Sequence, residues 1–217
     1  MLGIVVCGLL ITGCSGGTDG GTRKPPPQPA VDAMPLTAEA LRPLLLTQRD
    51  LGSGYAQVQD DTESDKFDDI SVQGCPELEK LSQNDDKDMF AAKAEASFAY
   101  DQDATLDEEL HSDRPSVLSS KIRQLFTAYT SCPTFTMTSG TTPIEVTVSK
   151  AVTPQLGDEQ FAYTMTIALP AGPQVLKTMS VRTNNVAVML VGAPALVDRH
   201  IEAAVGKIPK LIVSDSD

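Results

Sequence analysis

The stretch that decides the fold is FAYTMTIALPAGPQVLKTMSVRTNNVAVMLV, residues 161–191. From Phe161 to Leu169, large apolar residues alternate with smaller or polar ones, a period of two that is typical of a β-strand with one buried face. Pro170-Ala171-Gly172-Pro173 and Asn184-Asn185 are turn sequences, so this stretch predicts consecutive hairpins. The last strand, Val186–Val191, is apolar on both faces and therefore belongs in the centre of an antiparallel meander.

Helical and strand patterns extend on both sides of this meander. Ile144, Val146 and Val148 alternate with polar residues and predict one more strand. Other strands are predicted at Tyr55–Val58, Ala94–Tyr100 and Thr105–Leu110, and helices at Thr37–Leu46, from Cys75, at Pro115–Thr130 and at Pro194–Ile208. We therefore predict a single α+β domain in which an antiparallel sheet packs against several helices.

The N-terminus resembles a bacterial lipoprotein signal. Leu10-Ile11-Thr12-Gly13-Cys14 has the form of a lipobox behind an apolar run, Met1–Leu10, that is too short to span a bilayer. We expect residues 1–13 to be removed and Cys14 to carry a diacylglyceryl and an N-acyl group, which together anchor a protein stably. No positive charge precedes Arg23, so we expect the natural start to lie upstream. The alternative is a buried N-terminal strand with an incidental cysteine.

Residues 14–35 have the composition of a tether. The Gly-rich run Ser15–Gly21 precedes the Pro-rich run Pro25–Pro29, and both compositions are typical of flexible or extended linkers. The folded domain is then predicted at residues 36–213, with a disordered tail at 214–217. These features predict a protein that is lipid-anchored through Cys14 on the extracytoplasmic face of the cell membrane.

The charge balance limits the partners. The 217-residue chain has 17 basic and 29 acidic residues, for a net charge of −12, which would repel nucleic acid and anionic lipid. Acidic residues are concentrated in residues 60–69 and 85–88. Neither run has the glycine and terminal glutamate of a calcium-binding loop, so we interpret both as solvated loops. No metal or cofactor is predicted.

Two of the four cysteines remain after the signal and lipid sites are assigned. Cys7 lies in the signal and Cys14 is the lipidation site, which leaves Cys75 and Cys132. In an oxidising compartment such a pair is expected to form a disulfide, here between the start of one helix and the end of another. A redox or nucleophilic role would require a CxxC pair or a nearby base, and no local motif indicates one.

The sequence offers few candidates for catalysis. His200 is predicted on the polar, solvated side of the last helix. His111 has acidic neighbours that could make it a pH-responsive group, and the alternative is an ordinary polar residue at a strand-to-helix corner. Glu108 and Glu109 point to opposite faces of a strand, so they cannot converge on one bond. Nucleophile-elbow, phosphate-loop and zinc-protease motifs are absent, so we predict a protein that is not an enzyme.

Three short motifs carry a resemblance to a known family. They are LLLTQRDLGSGY at residues 44–55, GCP at 74–76 and YTSC at 129–132. With the predicted element order, they resemble the PknH-like extracellular sensor domains, which occur on actinobacterial receptor serine/threonine kinases and as free lipoproteins. The resemblance spans Leu36–Ile212 and implies an extracytoplasmic α+β domain with a cleft for an unidentified ligand. Because the chain lacks a second disulfide pair and a kinase segment, it does not imply signalling.

Two functional hypotheses follow. The first is a ligand-binding or sensor domain with an apolar cleft between the meander and the helices, for a small apolar or envelope-derived ligand. Met165, Met179 and Met189 are either an adaptable wall of that cleft or ordinary core. The alternative is a cell-envelope interaction protein with a filled core, an exposed apolar patch and an unknown protein partner. A hydrolase would require His111 or His200 to meet a carboxylate and a hydroxyl in a cleft.

Overall fold

The computed structural model describes residues 33–58, 70–82, 89–101 and 104–209. The predicted signal peptide, Cys14, nearly all of the predicted tether, both acidic runs and the predicted tail lie outside the described residues. None of the helices in the described ranges has the length and hydropathy of a membrane span.

The described chain forms five α-helices and nine strands. The helices are α1 Ala38–Leu41, α2 Gln48–Leu51, α3 Pro76–Ser82, α4 Pro115–Thr130 and α5 Pro194–Gly206. The strands are β1 Tyr55–Val58, β2 Ile70–Gln73, β3 Ala92–Tyr100, β4 Ala104–Ser112, β5 Thr134–Ser139, β6 Thr142–Lys150, β7 Glu159–Leu169, β8 Gly172–Thr183 and β9 Val186–Gly192.

The nine strands form one antiparallel sheet in the order β1-β3-β4-β9-β8-β7-β6-β5-β2. The α+β class and the meander are confirmed, since β5 to β9 are neighbours in chain order. The central position of β9 is also confirmed, because it pairs with β4 on one side and β8 on the other. Strands β2 and β5 were not predicted. They complete the sheet at the edge opposite β1.

The predicted helix Thr37–Leu46 is wrong in its length. Thr37 does cap α1, accepting a hydrogen bond from the Ala40 amide at 3.3 Å. The α-helix ends at Leu41, and residues Arg42–Leu44 form a 3₁₀ turn. Pro43 explains the break, because proline has no N–H to continue the α-helical hydrogen bonds.

The two faces of the sheet have separate cores. On the α5 face, α1, α2 and α5 cover a large apolar core centred on Phe98, Leu110, Met179 and Leu190. On the α4 face, a second core lies beneath α3 and α4 at the β5–β6 side, with Phe135 and Val146 at its centre. The rest of the α4 face is covered less completely.

The predicted disulfide is confirmed. Cys75, just before α3, is bonded to Cys132, just after α4, with their Cα atoms 5.8 Å apart. Cys75 is completely buried in the core of the α4 face. The bridge therefore fixes the start of α3 against the end of α4.

The prediction that His200 is solvated is wrong. Its side chain is buried, and Nε2 is hydrogen-bonded to the Tyr55 hydroxyl at 2.6 Å. His200 lies three residues after Val197 and four before Ala204, so it belongs to the stripe of α5 that faces the sheet. Burial, reinforced by the charge of Arg199, lowers the pKa of His200.

Candidate functional site

A cavity of about 530 Å³ lies on the α4 face, between α4 and strands β3, β4, β9, β8 and β7. We call it the α4 pocket. The floor on β8 is made by Thr178 and Ser180, whose side chains are short and leave space beneath the helix. The sequence predicted a cleft between the meander and the helices, and the α4 pocket lies there.

The end of the pocket nearest α4 and β7 is aromatic. Ile122, Leu125, Phe126 and Tyr129 recur at helical spacing and turn one face of α4 towards the pocket. Across from them, Phe161 and Tyr163 of β7 complete the wall.

The rings of this wall pack against one another. The Phe126 ring centroid lies 4.9 Å from that of Phe161, and Tyr129 stacks on Tyr163 at 5.2 Å. Of the ten Phe and Tyr residues in the chain, five line the pocket, namely Phe90, Phe126, Tyr129, Phe161 and Tyr163. Such a concentration of rigid rings offers a large contact area to an apolar ligand.

Of the three methionines expected either in the cleft wall or in the core, two line the pocket and one belongs to the core. Met165 and Met189 line the pocket, together with Met89, which was not predicted. Met179 is fully buried in the core of the α5 face and contributes nothing to the pocket. The pocket therefore has an adaptable thioether wall built from two of the three predicted methionines and one more.

The opposite end of the pocket is polar and lies on β3 and β4. Lys93, Glu109 and His111 line it, and we call these three residues the polar end. Glu109 Oε2 is 2.9 Å from His111 Nε2, and Glu109 Oε1 is 3.4 Å from Lys93 Nζ. Burial disfavours the charge of Glu109, but the hydrogen bond to His111 and the charge of Lys93 outweigh it and lower the pKa of this carboxyl. Glu109 is therefore a carboxylate at neutral pH.

His111 lies near the end of β4, shortly before α4 begins, and lines the pocket. Its side chain is only 7% exposed, and the Phe90 ring lies against it with centroids 4.3 Å apart. The ring nitrogen Nδ1 is buried and has no hydrogen-bond partner among the described residues. His111 thus meets a carboxylate in a cleft, and no hydrogen bond in the described ranges joins it to a serine or threonine hydroxyl.

The two adjacent glutamates face opposite sides of the sheet, as predicted. Glu109 lies in the pocket, whereas Glu108 is fully buried on the α5 face and accepts a hydrogen bond from the Leu46 amide. They cannot act on one bond together. Among the described residues there is also no group of three His, Cys, Asp or Glu side chains placed to hold a metal ion.

Most of the lining residues were not identified from the sequence as site residues. The helical spacing of Phe126 and Tyr129 with Ile122 and Leu125 indicates core rather than a pocket, because a helix facing a sheet normally fills the space beneath it. The signal that could have located the cavity is Thr178 and Ser180, two short polar residues on the face of β8 that carries no apolar core. Their position opposite α4 depends on which face of the sheet this helix covers, and the sequence does not specify that face.

No protein-family model matches the chain, and no curated protein matches it. Among solved structures, the chain is similar to the extracellular domain of PknH from Mycobacterium tuberculosis, with a TM-score of 0.59 and 14% sequence identity. The match covers 79% of this chain and 95% of that domain. At this level of identity the likeness concerns the fold alone, and it supports the fold that the resemblance implied. The chain therefore has the fold of the PknH extracellular domain.

Proposed function

We propose that this protein is a non-catalytic, extracytoplasmic binding domain, anchored to the cell membrane by lipid on Cys14, that holds a small and largely apolar ligand in the α4 pocket. The observation that carries this proposal is the pocket itself, whose volume of about 530 Å³ lies within the range typical of small-molecule sites. The fold shared with an extracellular domain supports the location outside the cytoplasm.

The exposed apolar surface favours this proposal over an interaction protein without a pocket. In the described ranges, the large apolar side chains that are exposed are Met34, Val58, Val152 and Val175. Val58 is on the edge strand β1 and Val175 is on β8, with β3, β4 and β9 between them, while Val152 follows β6, which β7 separates from β8. Met34 precedes α1. Scattered residues of this kind are ordinary on a soluble surface, whereas a docking patch is contiguous.

Ligand binding is tested by filling the cavity. The chain from residue 14 onward, with Cys14→Ser so that it carries no lipid, is incubated with a lipid extract of its own host and examined by native mass spectrometry. We expect a reproducible adduct that disappears in Met189→Trp, since the indole would occupy the pocket between α4 and β9. The matched control is Val175→Trp, which places the same side chain on the exposed opposite face and should retain the adduct.

Two results would contradict the proposal. One is a folded wild-type protein that acquires no adduct from the extract. The other is an adduct that persists in Met189→Trp, because the ligand would then lie elsewhere.

Membrane anchoring is tested separately by fractionation. Cys14→Ser in the full chain, expressed in its host, should move the protein from the membrane fraction to the soluble fraction. Cys7→Ser is the control, because Cys7 lies within the predicted signal and its loss should leave the protein membrane-bound. A Cys14→Ser protein that remains on the membrane although its measured mass shows that residues 1–13 have been removed would refute lipid anchoring without affecting the ligand proposal.

A further inference from the structure

The α4 pocket changes from polar to apolar along its length. The polar end lies on β3 and β4, whereas Phe161, Tyr163 and Met165 lie on β7. Between β4 and β7 the sheet order places β9 and β8, so the two ends are separated by three strand spacings of about 4.8 Å, or roughly 14 Å. A ligand that fills the pocket therefore contacts the polar end and the Phe90 ring beside it at one end, and the rings of α4 and β7 at the other.

The polar end holds more negative than positive charge. Of the described residues that line the pocket, Lys93 is the one cation, and it is already paired with Glu109 at 3.4 Å and with Glu95 at 2.6 Å. Asp107 lies on the same face of β4 as Glu109, opposite Ser97 of β3. Since two carboxylates, Glu95 and Glu109, pair with this one lysine, an anionic head group would be repelled here.

The other cations near the pocket do not change this balance at the polar end. Lys121 of α4 lies over the Phe90 ring but is paired with Asp113 at 2.8 Å. Lys150 lies over the Phe126 ring, which is at the aromatic end. An anionic amphiphile could approach Lys150 only in the reverse orientation, with its apolar body at the polar end.

His111 offers a vacant hydrogen-bond acceptor at the polar end. A carboxylate can only accept hydrogen bonds, so Glu109 requires the hydrogen of the imidazole to be on Nε2. In the neutral ring, Nδ1 is then an acceptor, and it is the buried nitrogen that lacks a partner among the described residues. A buried polar atom without a partner is unfavourable. Because Nδ1 has almost no accessible surface beside the Phe90 ring, a ligand hydroxyl would satisfy it once the imidazole or that ring turns to open Nδ1 to the pocket.

We propose that the α4 pocket binds an uncharged amphiphile, whose hydroxyl-bearing head donates a hydrogen bond to His111 Nδ1 and whose apolar tail lies among the rings of α4 and β7. This inference rests on the proposed function, since it specifies the ligand class of the same pocket. Each oxygen of Glu109 has a partner, whereas His111 Nδ1 has none among the described residues, so the head group is assigned to His111.

The test compares three amphiphiles with the same tail and different heads. The chain from residue 14 onward with Cys14→Ser, which contains every described residue, is titrated calorimetrically at pH 7.5 with 1-monolauroylglycerol, lauric acid and dodecyltrimethylammonium, each below its critical micelle concentration. We expect the uncharged glyceride to bind most tightly, with at least about a tenfold preference over the anionic laurate.

Two variants identify the groups responsible. His111→Phe keeps a ring beside Phe90 but removes the acceptor, and it should weaken glyceride binding by roughly tenfold. Glu109→Gln removes one negative charge from the polar end. It should reduce the ratio of the affinity for the glyceride to the affinity for laurate. Its matched control is Glu145→Gln, which makes the same change of charge at an exposed position of β6 and should leave all three affinities unchanged.

The outcomes separate this inference from the proposed function. If all three amphiphiles bind equally, or laurate or the ammonium compound binds best, the assignment of the head group is wrong although the pocket still binds apolar molecules. If none of the three binds to the folded wild-type protein, the proposed function loses its support as well. If circular dichroism shows that His111→Phe does not fold, the wild-type protein is titrated with methyl laurate, which has the same tail and no hydroxyl to donate; binding as tight as that of the glyceride would overturn the assignment to His111.

Discussion

The backbone amide of Leu46 donates a hydrogen bond to Glu108 Oε2 across 2.6 Å, in the interior of the domain. The other carboxyl oxygen of Glu108 is buried and has no hydrogen-bond partner among the described residues. One buried carboxyl group thus attaches the turn between Leu44 and Thr47 to the centre of the sheet. Burial raises the pKa of this carboxyl to about 7, against an ordinary value of 4.5.

Glu108 should make the domain less stable as the pH rises. Its pKa is higher in the folded than in the unfolded chain, so the folded state binds the proton more tightly. The contribution of the protonated carboxyl to the free energy of unfolding is fully present below about pH 4.5 and is lost as the pH rises through about 7. The free energy of unfolding falls over this range by about 3 kcal/mol at most. Glu108→Gln keeps an acceptor for Leu46 without the charge. We expect urea unfolding at pH 8 to show this variant to be more stable than wild type, with the difference vanishing near pH 4.5. Equal stabilities at pH 8 would contradict this.

Glu159 should have the opposite pH dependence. It accepts hydrogen bonds from Arg182 at 2.7 Å and from Arg123 of α4, and although burial disfavours its charge, these bonds lower its pKa to about 2. Its stabilising contribution is therefore present above about pH 4.5 and is lost as the pH falls through about 2.

Glu159→Gln should destabilise the domain by about 2 kcal/mol at pH 7, and the difference from wild type should shrink as the pH approaches 2. Denaturant unfolding of both proteins at pH 7, 4 and 3 measures this difference in the free energy of unfolding. The control is Glu77→Gln, which breaks an exposed pair with Lys80 and should cost little. A pH-independent loss in Glu159→Gln would mean that packing, not charge, accounts for the effect.

The disulfide should contribute substantially to stability. Cys75 and Cys132 are 57 residues apart, and closing a loop of that length restricts the unfolded chain by about 4 kcal/mol in the chain-entropy model. We expect the double variant Cys75→Ser and Cys132→Ser to lose a large part of this stabilising free energy. Thermal unfolding without reductant measures the loss as a lower melting temperature. The matched control is wild type with reductant, which should approach the melting temperature of the variant. If neither the double variant nor the reduced wild type melts at a lower temperature than the oxidised wild type, the disulfide does not stabilise the domain as expected.

Gly192 should not tolerate a side chain. It has a φ of +156°, and a Cβ atom would lie 2.3 Å from the carbonyl oxygen of Thr105 on the neighbouring strand β4. The Thr105 oxygen is a backbone atom of a paired strand and cannot move aside easily. Gly192→Ala should therefore destabilise the domain by more than about 2 kcal/mol. Gly206→Ala is the control, because Gly206 ends α5 with no atom within 4 Å of the added Cβ, and it should be neutral or stabilising by up to about 1 kcal/mol. Similar stabilities for the two variants, measured by denaturant unfolding, would contradict this reasoning.

The elements with a strong period were predictable from the sequence. Helix α4 has the predicted bounds, and β7 and β9 differ from theirs by at most two residues at either end. Strand β5 was missed although Thr134-Phe135-Thr136-Met137 alternates, because two apolar residues are a weak signal beside Cys132 and Pro133. Strand β2 has only four residues, and its position depends on pairing with β5 rather than on its own sequence.

The site was less predictable than the fold. His200 was misplaced because its charged neighbours Asp198, Arg199 and Glu202 suggested a polar face, whereas its spacing from Val197 and Ala204 places it on the buried stripe. The importance of His111 depends on Glu109 and Phe90, which reach it through strand pleat and tertiary packing respectively. A cavity results from the space that side chains leave unfilled, and a hydrophobic pattern does not encode that space.

The pairing of β4 with β9 has a consequence for the growing chain. Because synthesis proceeds from the N-terminus, β1, β3 and β4 are made early, but the edge of β4 from Leu106 to Ser112 remains unpaired until β9 is complete. Helix α5, which packs against β8 and β9 on the α5 face of the sheet, is made later still. An unfinished chain therefore exposes both an open strand edge and an uncovered apolar face, which is the combination that favours aggregation. The nascent protein must be protected from association until residues 186–206 have been added.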